Sequence, residues 1–282
     1  MRKCGLGNAN CGIAGRRLGN RRSPEFSEAF TLAELLVVMV IIGLLAALSF
    51  GALSHVRRAG EAAQCVSNLR QLATANLAYL AENGTYCPAM EPSNLKRWHG
   101  GRASAGEPFD PAKGYLSPYF GAEGRLQRCP TLTNTLEGAD SFEAGGGGYG
   151  YNAVYIGGKP GSIFVPNLPA AVPLPTRTLM FADTALPKAE GLQEYPFAEP
   201  YRALNSQGTQ LASPLDPSVH FRHQGKANVA WCDGSVTAEP PARLGSNENI
   251  YGGDSQKYQI GWPGPEPFNG VWNPQYEADS GK

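Results

Sequence analysis

Phe30 to Leu53 form an unbroken apolar run of 24 residues, F-T-L-A-E-L-L-V-V-M-V-I-I-G-L-L-A-A-L-S-F-G-A-L, with one charge, Glu34. At ~1.5 Å rise per residue, a helix of this length reaches roughly 36 Å, enough to cross a bilayer. A carboxylate five residues into such a run is costly in lipid unless another group neutralises it. The preceding 29 residues carry Arg2, Lys3, Arg16, Arg17, Arg21 and Arg22 against Glu25 and Glu28, a net charge of +4. Basic residues ahead of an apolar span stay on the cytoplasmic side, which places the chain after Leu53 outside. A secretory signal peptide would carry its small-residue cleavage site after a shorter apolar core. Here the small residue, Ala29, precedes the run, so a cut there would leave the span on the mature protein.

From Ser54 the pattern turns amphipathic. Val56, Ala59, Ala62, Val66, Leu69, Leu72, Ala73, Asn76, Leu77 and Leu80 recur mostly every three or four residues, the helical period. Asn83-Gly84 is a stop signal. One helix from about Phe30 to Asn83, roughly 80 Å long, is expected. Its first half is apolar on every side and its second half on one.

The remainder is loop-rich, as 35 glycines and 23 prolines in the whole chain suggest. Gly145 to Gly148 reads as a flexible loop, because it lacks the Gly-Lys-Ser/Thr ending of a phosphate-binding loop. Tyr149 to Ile156 alternates like a strand. Thr178 to Asp183 reads as a short apolar strand ending in a carboxylate. Ala185 to Pro217 is a long excursion. Ala227 to Thr237 reads as a β-hairpin turning at Asp233-Gly234. The residues beyond it, to Lys282, form a tail that wraps the domain or meets neighbours. The formal net charge is zero and no basic patch interleaves with aromatics, so nothing points to nucleic acid. Six cysteines divide between the leader (Cys4, Cys11) and the exported side (Cys65, Cys87, Cys129, Cys232), where disulfides persist. Four cysteines allow three pairings, and without a close C-x-x-C pair the spacing argues against a zinc site.

Ala29-Phe30-Thr31-Leu32-Ala33-Glu34-Leu35-Leu36-Val37-Val38 resembles the prepilin cleavage and methylation motif of type IV pilins and type II secretion pseudopilins, with Ala29 where that family usually has glycine. The resemblance implies cleavage between Ala29 and Phe30 by a prepilin peptidase and methylation of the new amino group on Phe30. It also implies that Glu34 pairs with the amino terminus of a neighbouring subunit during assembly. Two charges removed from water are tolerable when paired. A second resemblance covers most of the rest. His223 followed nine residues later by Asp233-Gly234 is similar to a processing-associated motif of a large pilin-like family. Cys65 to Leu72, Cys129-Pro130 and Tyr149 to Asn152 match that family as well.

The resemblance implies an α+β, pilin-like fold, a long N-terminal helical spine packed on a small antiparallel sheet with loop-rich insertions. Residues 1–29 would be a cytoplasmic leader and 30–53 the transmembrane or filament-core half of the helix. Residues 54–83 would be its amphipathic half and 84–282 an extracytoplasmic globular domain. The protein would sit in the inner membrane as a single-pass protein with that domain in the periplasm or on the filament surface. Its implied role is a structural subunit of a pseudopilus or pilus-like filament rather than an enzyme. Its partners would be other pilin or pseudopilin subunits, the prepilin peptidase, the inner-membrane assembly platform and membrane lipid. The alternative is a tethered binding protein or enzyme using a pilin-type anchor. Cys87 and Cys232 stand where the family usually has apolar residues, which suggests that these two pair with each other and Cys65 with Cys129. Each bridge would stabilise by roughly 2–4 kcal/mol. Three readings of His223 and Asp233 stay open. They could be a strand-start imidazole and a turn. Asp183 and Asp233 could hold calcium with backbone carbonyls, His223 being a poor calcium ligand. Or His220 and His223 could join Asp183 or Asp233 in acid–base chemistry or zinc binding. No cofactor is otherwise implied. His99 and His55 read as packing and interface residues.

Overall fold

The structure, a computed structural model, describes residues 31–121, 126–136 and 144–276, without the side chains of 48–55. The chain divides into two compact units, Met1–Ala52 and Leu53–Lys282. Helix α1 is Leu32–Asn83. It ends where the sequence predicts, with Gly84 at φ +74° and its amide donating to the Leu80 carbonyl. Beyond it lie strands β1 (Lys96–Arg97) and β2 (Gly100–Gly101), the short helix α2 (Pro130–Thr133), β3 (Tyr149–Tyr151) and β4 (Leu179–Asp183). Two hairpins follow, β5 (Leu186–Lys188) with β6 (Gly191–Gln193), and β7 (Arg202–Leu204) with β8 (Gln210–Pro214). The chain then forms β9 (Val219–His220), β10 (Ala227–Trp231), β11 (Val236–Glu239), β12 (Arg243–Leu244) and β13 (Ile260–Trp262).

The expected α+β plan of a long helical spine on one small sheet is corrected. Among the described residues the domain is mostly small antiparallel sheets, thirteen strands in five of them, and the helices after α1 are single turns. No long N-terminal spine supports it. Leu32 to Leu45 and Val56 are exposed, Ala59 and Gly60 are bare, and among the described side chains of α1 burial begins only near Glu61. The physical reason lies in the frequent glycine and proline, which stop each strand within two to five residues and scatter the backbone pairing over several sheets.

The placement in a membrane is corrected too. Among the described residues no helix is long and apolar enough to cross one. The single-pass inner-membrane assignment falls on that ground. Residues 1–29, with Cys4 and Cys11, lie outside the described residues.

The four-stranded sheet, in the order β11-β10-β4-β3, centres the domain. Strands β3, β4 and β10 are buried at every position, because both faces are covered. On one face Tyr151, Met180, Phe181 and Ala230 pack with Cys65, Leu69, Leu72 and Ala73 of α1 and with Trp98. On the other, Leu179, Ala182, Val229 and Trp231 pack with Phe221, Trp262 and Trp272. That is why Leu179 to Ala182 reads as a continuous apolar run instead of an alternating one. The Trp272 carbonyl accepts from the Asn152 amide at 2.9 Å, and its indole N–H donates to the Ala198 carbonyl at 3.0 Å, so the tail does wrap the domain. Tyr149 to Ile156 is a strand only as far as Tyr151.

Polar bonds join α1 to β3. Asn76, fully buried, donates to the Tyr151 hydroxyl and accepts from the Cys87 amide, each at 2.9 Å. The Tyr151 hydroxyl donates on to the Cys87 carbonyl at 2.9 Å. Two turns earlier, Asn68 donates to the Tyr149 hydroxyl at 2.9 Å. Asn76→Ala would strand the Cys87 N–H in a dry core and is expected to cost about 1–3 kcal/mol in chemical denaturation.

His99 packs edge-on against Trp98 and Phe109, as the packing reading expects. Its ring nitrogens have no hydrogen-bond partner among the described residues. Burial, helped by Arg97 and Arg102, pushes its pKa from the ordinary 6.5 down to about 3. The unfolded chain therefore binds a proton that the folded chain refuses, and stability falls as pH drops from 6.5 toward 3. His99→Leu is expected to lose about 2–3 kcal/mol less than the parent between pH 7 and pH 4.5, read from urea unfolding at the two pH values.

Candidate functional site

Asp183 closes β4 and is completely buried, opposite Tyr149 of β3. Its Oδ1 accepts from Arg222 Nη2 at 2.7 Å. Its Oδ2 accepts from the Asn228 amide at 2.7 Å and lies 3.3 Å from His223 Nε2. Burial pushes the Asp183 pKa upward, against the pull of Arg222 and His223.

Arg222 uses its whole guanidinium. Nη2 also donates to the Gly148 carbonyl at 2.7 Å, Nη1 to the Thr184 carbonyl at 3.2 Å, and Nε to Cys129 Sγ at 3.3 Å. Burial works to lower its pKa, but Asp183 and Cys129 outweigh it and hold the cation charged. Nη1 also lies 3.4 Å from His220 Nδ1. Burial, then Arg222 and His223, keep His220 far below the ordinary imidazole range, so it is a neutral ring here.

Local sequence sets this geometry. His223-Gln224-Gly225-Lys226 is a tight turn between β9 and β10. His223 and Lys226 exchange both backbone bonds across it, and Gln224 and Gly225 have φ of +55° and +77°. The four-glycine run expected to be a flexible loop is instead a mostly buried turn. Gly148 sits at φ +84°, and a Cβ there would meet Leu132 Cδ2 at 2.3 Å. Only a bare backbone lets its carbonyl reach Arg222.

Cys129 caps α2, and its amide donates to the Gly147 carbonyl at 2.9 Å. Its Sγ lies 3.9 Å from His223 Nε2. Cys65, on α1, brings its Sγ within 4.8 Å of it. The neighbouring Cys65 thiol, then Arg222 and His223, draw the Cys129 pKa down against burial, while Cys129 and burial push Cys65 up. The two sulfurs and a ring nitrogen of His223 all lie within 4.8 Å of one another, and among the described residues they are the only such ligand group. His223 opens onto a cleft of about 670 Å³, whose walls include Glu61, Thr131, Lys226 and Asn228.

The other expected residues are placed as follows. All four cysteines of the domain are buried free thiols, so neither expected bridge is formed. Cys65 and Cys129 are brought together. Cys87 Sγ instead bonds the Pro88 carbonyl at 3.3 Å, and Cys232 is buried at the end of the β10 side of the hairpin. Asp233 is exposed in the β10–β11 turn, where its Oδ1 accepts from the Ser235 amide and hydroxyl. Gly234 takes φ +88° in a turn one residue longer than the two-residue one expected. Asp233 lies five positions beyond Asn228, the neighbour of Asp183, or roughly 16 Å along a strand. The calcium pair Asp183 and Asp233 is thus not assembled, and both Asp183 oxygens are engaged. Ala29 and Phe30 lie outside the described residues, as does the side chain of His55. Glu34 is exposed in the first turn of α1. Its Oε2 accepts from the Thr31 amide and hydroxyl at 2.9 and 2.8 Å, and its own amide donates to Thr31 Oγ1 at 3.2 Å. This is a capping box, and the signal was in the sequence as T-x-x-E. Sequence reasoning also passed over Arg222 and Asn68, for which no local pattern exists.

No known protein family, curated protein or solved structure matches the chain.

Arg222→Met would leave the Asp183 carboxylate buried without its cation, at an expected cost of roughly 3–5 kcal/mol. Adding Asp183→Asn to that variant should restore most of the loss, read as denaturation midpoints of the single and double variants.

Proposed function

We propose that this protein is a structural subunit of a pseudopilus or pilus-like filament, built through the N-terminal half of α1. One observation carries the reading. Leu32, Leu35 to Ile42, Leu44 and Leu45 are all between 48% and 84% exposed, on every side of the helix. Burying each such side chain gains about 1.5–3 kcal/mol, so a surface of this kind is built to be covered. The occupant is the same helix of further copies or of like subunits. The prepilin-like motif supplies a self-complementary charge pair, the Glu34 carboxylate and the amino group that cleavage after Ala29 would free on Phe30. In a packed apolar bundle each charge needs the other, which fixes the register of neighbouring subunits. A prepilin peptidase and an assembly platform are the implied partners. The Thr31–Glu34 cap holds the carboxylate at the helix start, where that amino group would be.

The cleft beside His223 favours a second reading, in which the domain binds a small ligand or acts on it. Its mark would be a ligand-dependent phenotype of His223→Ala with normal assembly.

Glu34→Gln separates capping from charge, because glutamine keeps the capping acceptor and loses the anion. The expected outcome is processed protein, with Phe30 as its first residue by N-terminal sequencing, that no longer enters filaments or cross-links between copies. Glu34→Ala should do the same. Normal assembly of both variants would sink the proposal.

A further inference from the structure

We propose that Cys65, Cys129 and His223 hold a zinc-class divalent cation, with the fourth coordination position facing the cleft. This goes beyond the filament reading and does not depend on it. The three ligands come from separate segments, α1, the cap of α2 and the β9–β10 turn, so no linear spacing such as C-x-x-C could announce them.

The donor set and geometry fit. Two sulfurs and an imidazole are a borderline-soft set that suits zinc and not calcium or magnesium. Zinc–sulfur and zinc–nitrogen bonds of about 2.3 and 2.0–2.1 Å in a tetrahedron place ligand atoms roughly 3.5–3.8 Å apart. The three atoms already lie within 4.8 Å of one another, and Cys129 Sγ to His223 Nε2 is 3.9 Å. Only a small inward movement is required. Both cysteines are completely buried, whereas the His223 side chain keeps 7% exposure at the cleft, which gives an entry path.

Charge balance also fits. Asp183 and Arg222 already neutralise each other at 2.7 Å. Two thiolates then match one divalent cation. On binding, the two thiols give up their protons to solvent and nothing is oxidised. His223 Nε2 would exchange its contact with Asp183 for the metal, and Asp183 keeps Arg222 and the Asn228 amide. Arg222 Nε, donating to Cys129 Sγ at 3.3 Å, would orient the ligating sulfur from outside the coordination sphere.

Cobalt(II) is the probe, because a thiolate-ligated tetrahedral cobalt site gives sulfur-to-metal charge-transfer absorption together with intense visible bands. The full chain, reduced and freed of metal, is titrated with cobalt and then with zinc. The expected result is saturation at one equivalent, with bleaching by zinc. Cys65→Ser and Cys129→Ser should each lose at least half of the charge-transfer intensity, and His223→Ala should weaken binding at least tenfold. The Cys87→Ser/Cys232→Ser variant should titrate like the parent, which separates this site from the other thiols. The parent titration decides the matter even where a variant fails to fold. Absence of the charge-transfer band in the folded, reduced parent would overturn the proposal. So would its survival in Cys65→Ser/Cys129→Ser, or isolation of the native chain with a Cys65–Cys129 disulfide and no metal.

Discussion

The ion pair between Asp183 and Arg222 is the constraint around which the domain is arranged. Both side chains are almost wholly buried, and a buried charge missing any partner would cost several kcal/mol. Satisfying the pair recruits the Gly148 and Thr184 carbonyls, the Asn228 amide and the Cys129 sulfur. Those groups belong to the glycine turn, the end of β4, the start of β10 and the cap of α2. The glycine turn, the cap of α2 and the segment that carries Arg222 are thereby fixed against the paired strands β4 and β10. The strands are too short to set such an arrangement alone.

The same junction creates the chemistry. Arg222 cannot leave Asp183, so its Nε is delivered to Cys129, and the following residue, His223, is turned toward the thiols and the cleft. The Cys65 thiol, Arg222 and His223 draw the Cys129 pKa down in a place where burial alone would raise it. Burial pushes the Cys87 and Cys232 thiols up, in Cys87 against the pull of Lys96. Direct contact with Arg222 Nε at 3.3 Å, and not burial or sequence spacing, sets Cys129 apart.

The apolar half of α1 follows a different rule. Its described side chains are exposed in a single chain, while those from Cys65 onward meet the domain every three or four residues. A filament subunit would carry both kinds of surface, one satisfied at home and one by neighbours. The capping box at Thr31 and Glu34 shows that a carboxylate in greasy sequence has a local structural use as well. Charge and cap are therefore separate properties of one residue.

Periodicity was enough to place α1 and its end at Asn83, the β4 strand and the β10–β11 hairpin, because each depends on residues within one turn or one strand. It was enough to mark His223, Asp183 and the cysteines as chemically loaded. It could not tell that Tyr149 to Ile156 leaves the sheet after Tyr151, nor that the glycine run is a packed turn, since both depend on what lies opposite. The single spine on one small sheet gave way to five sheets because strand partners are chosen by long-range packing. Cys65 and Cys129 are 64 residues apart and His223 a further 94, so only the folded chain could bring them within ligand distance. The sequence by itself determined which residues prefer helix, turn or apolar surroundings, because those preferences act over a few bonds. The tertiary structure alone decided which charges and thiols meet, because that follows from burying an ion pair whose partners lie far apart along the chain.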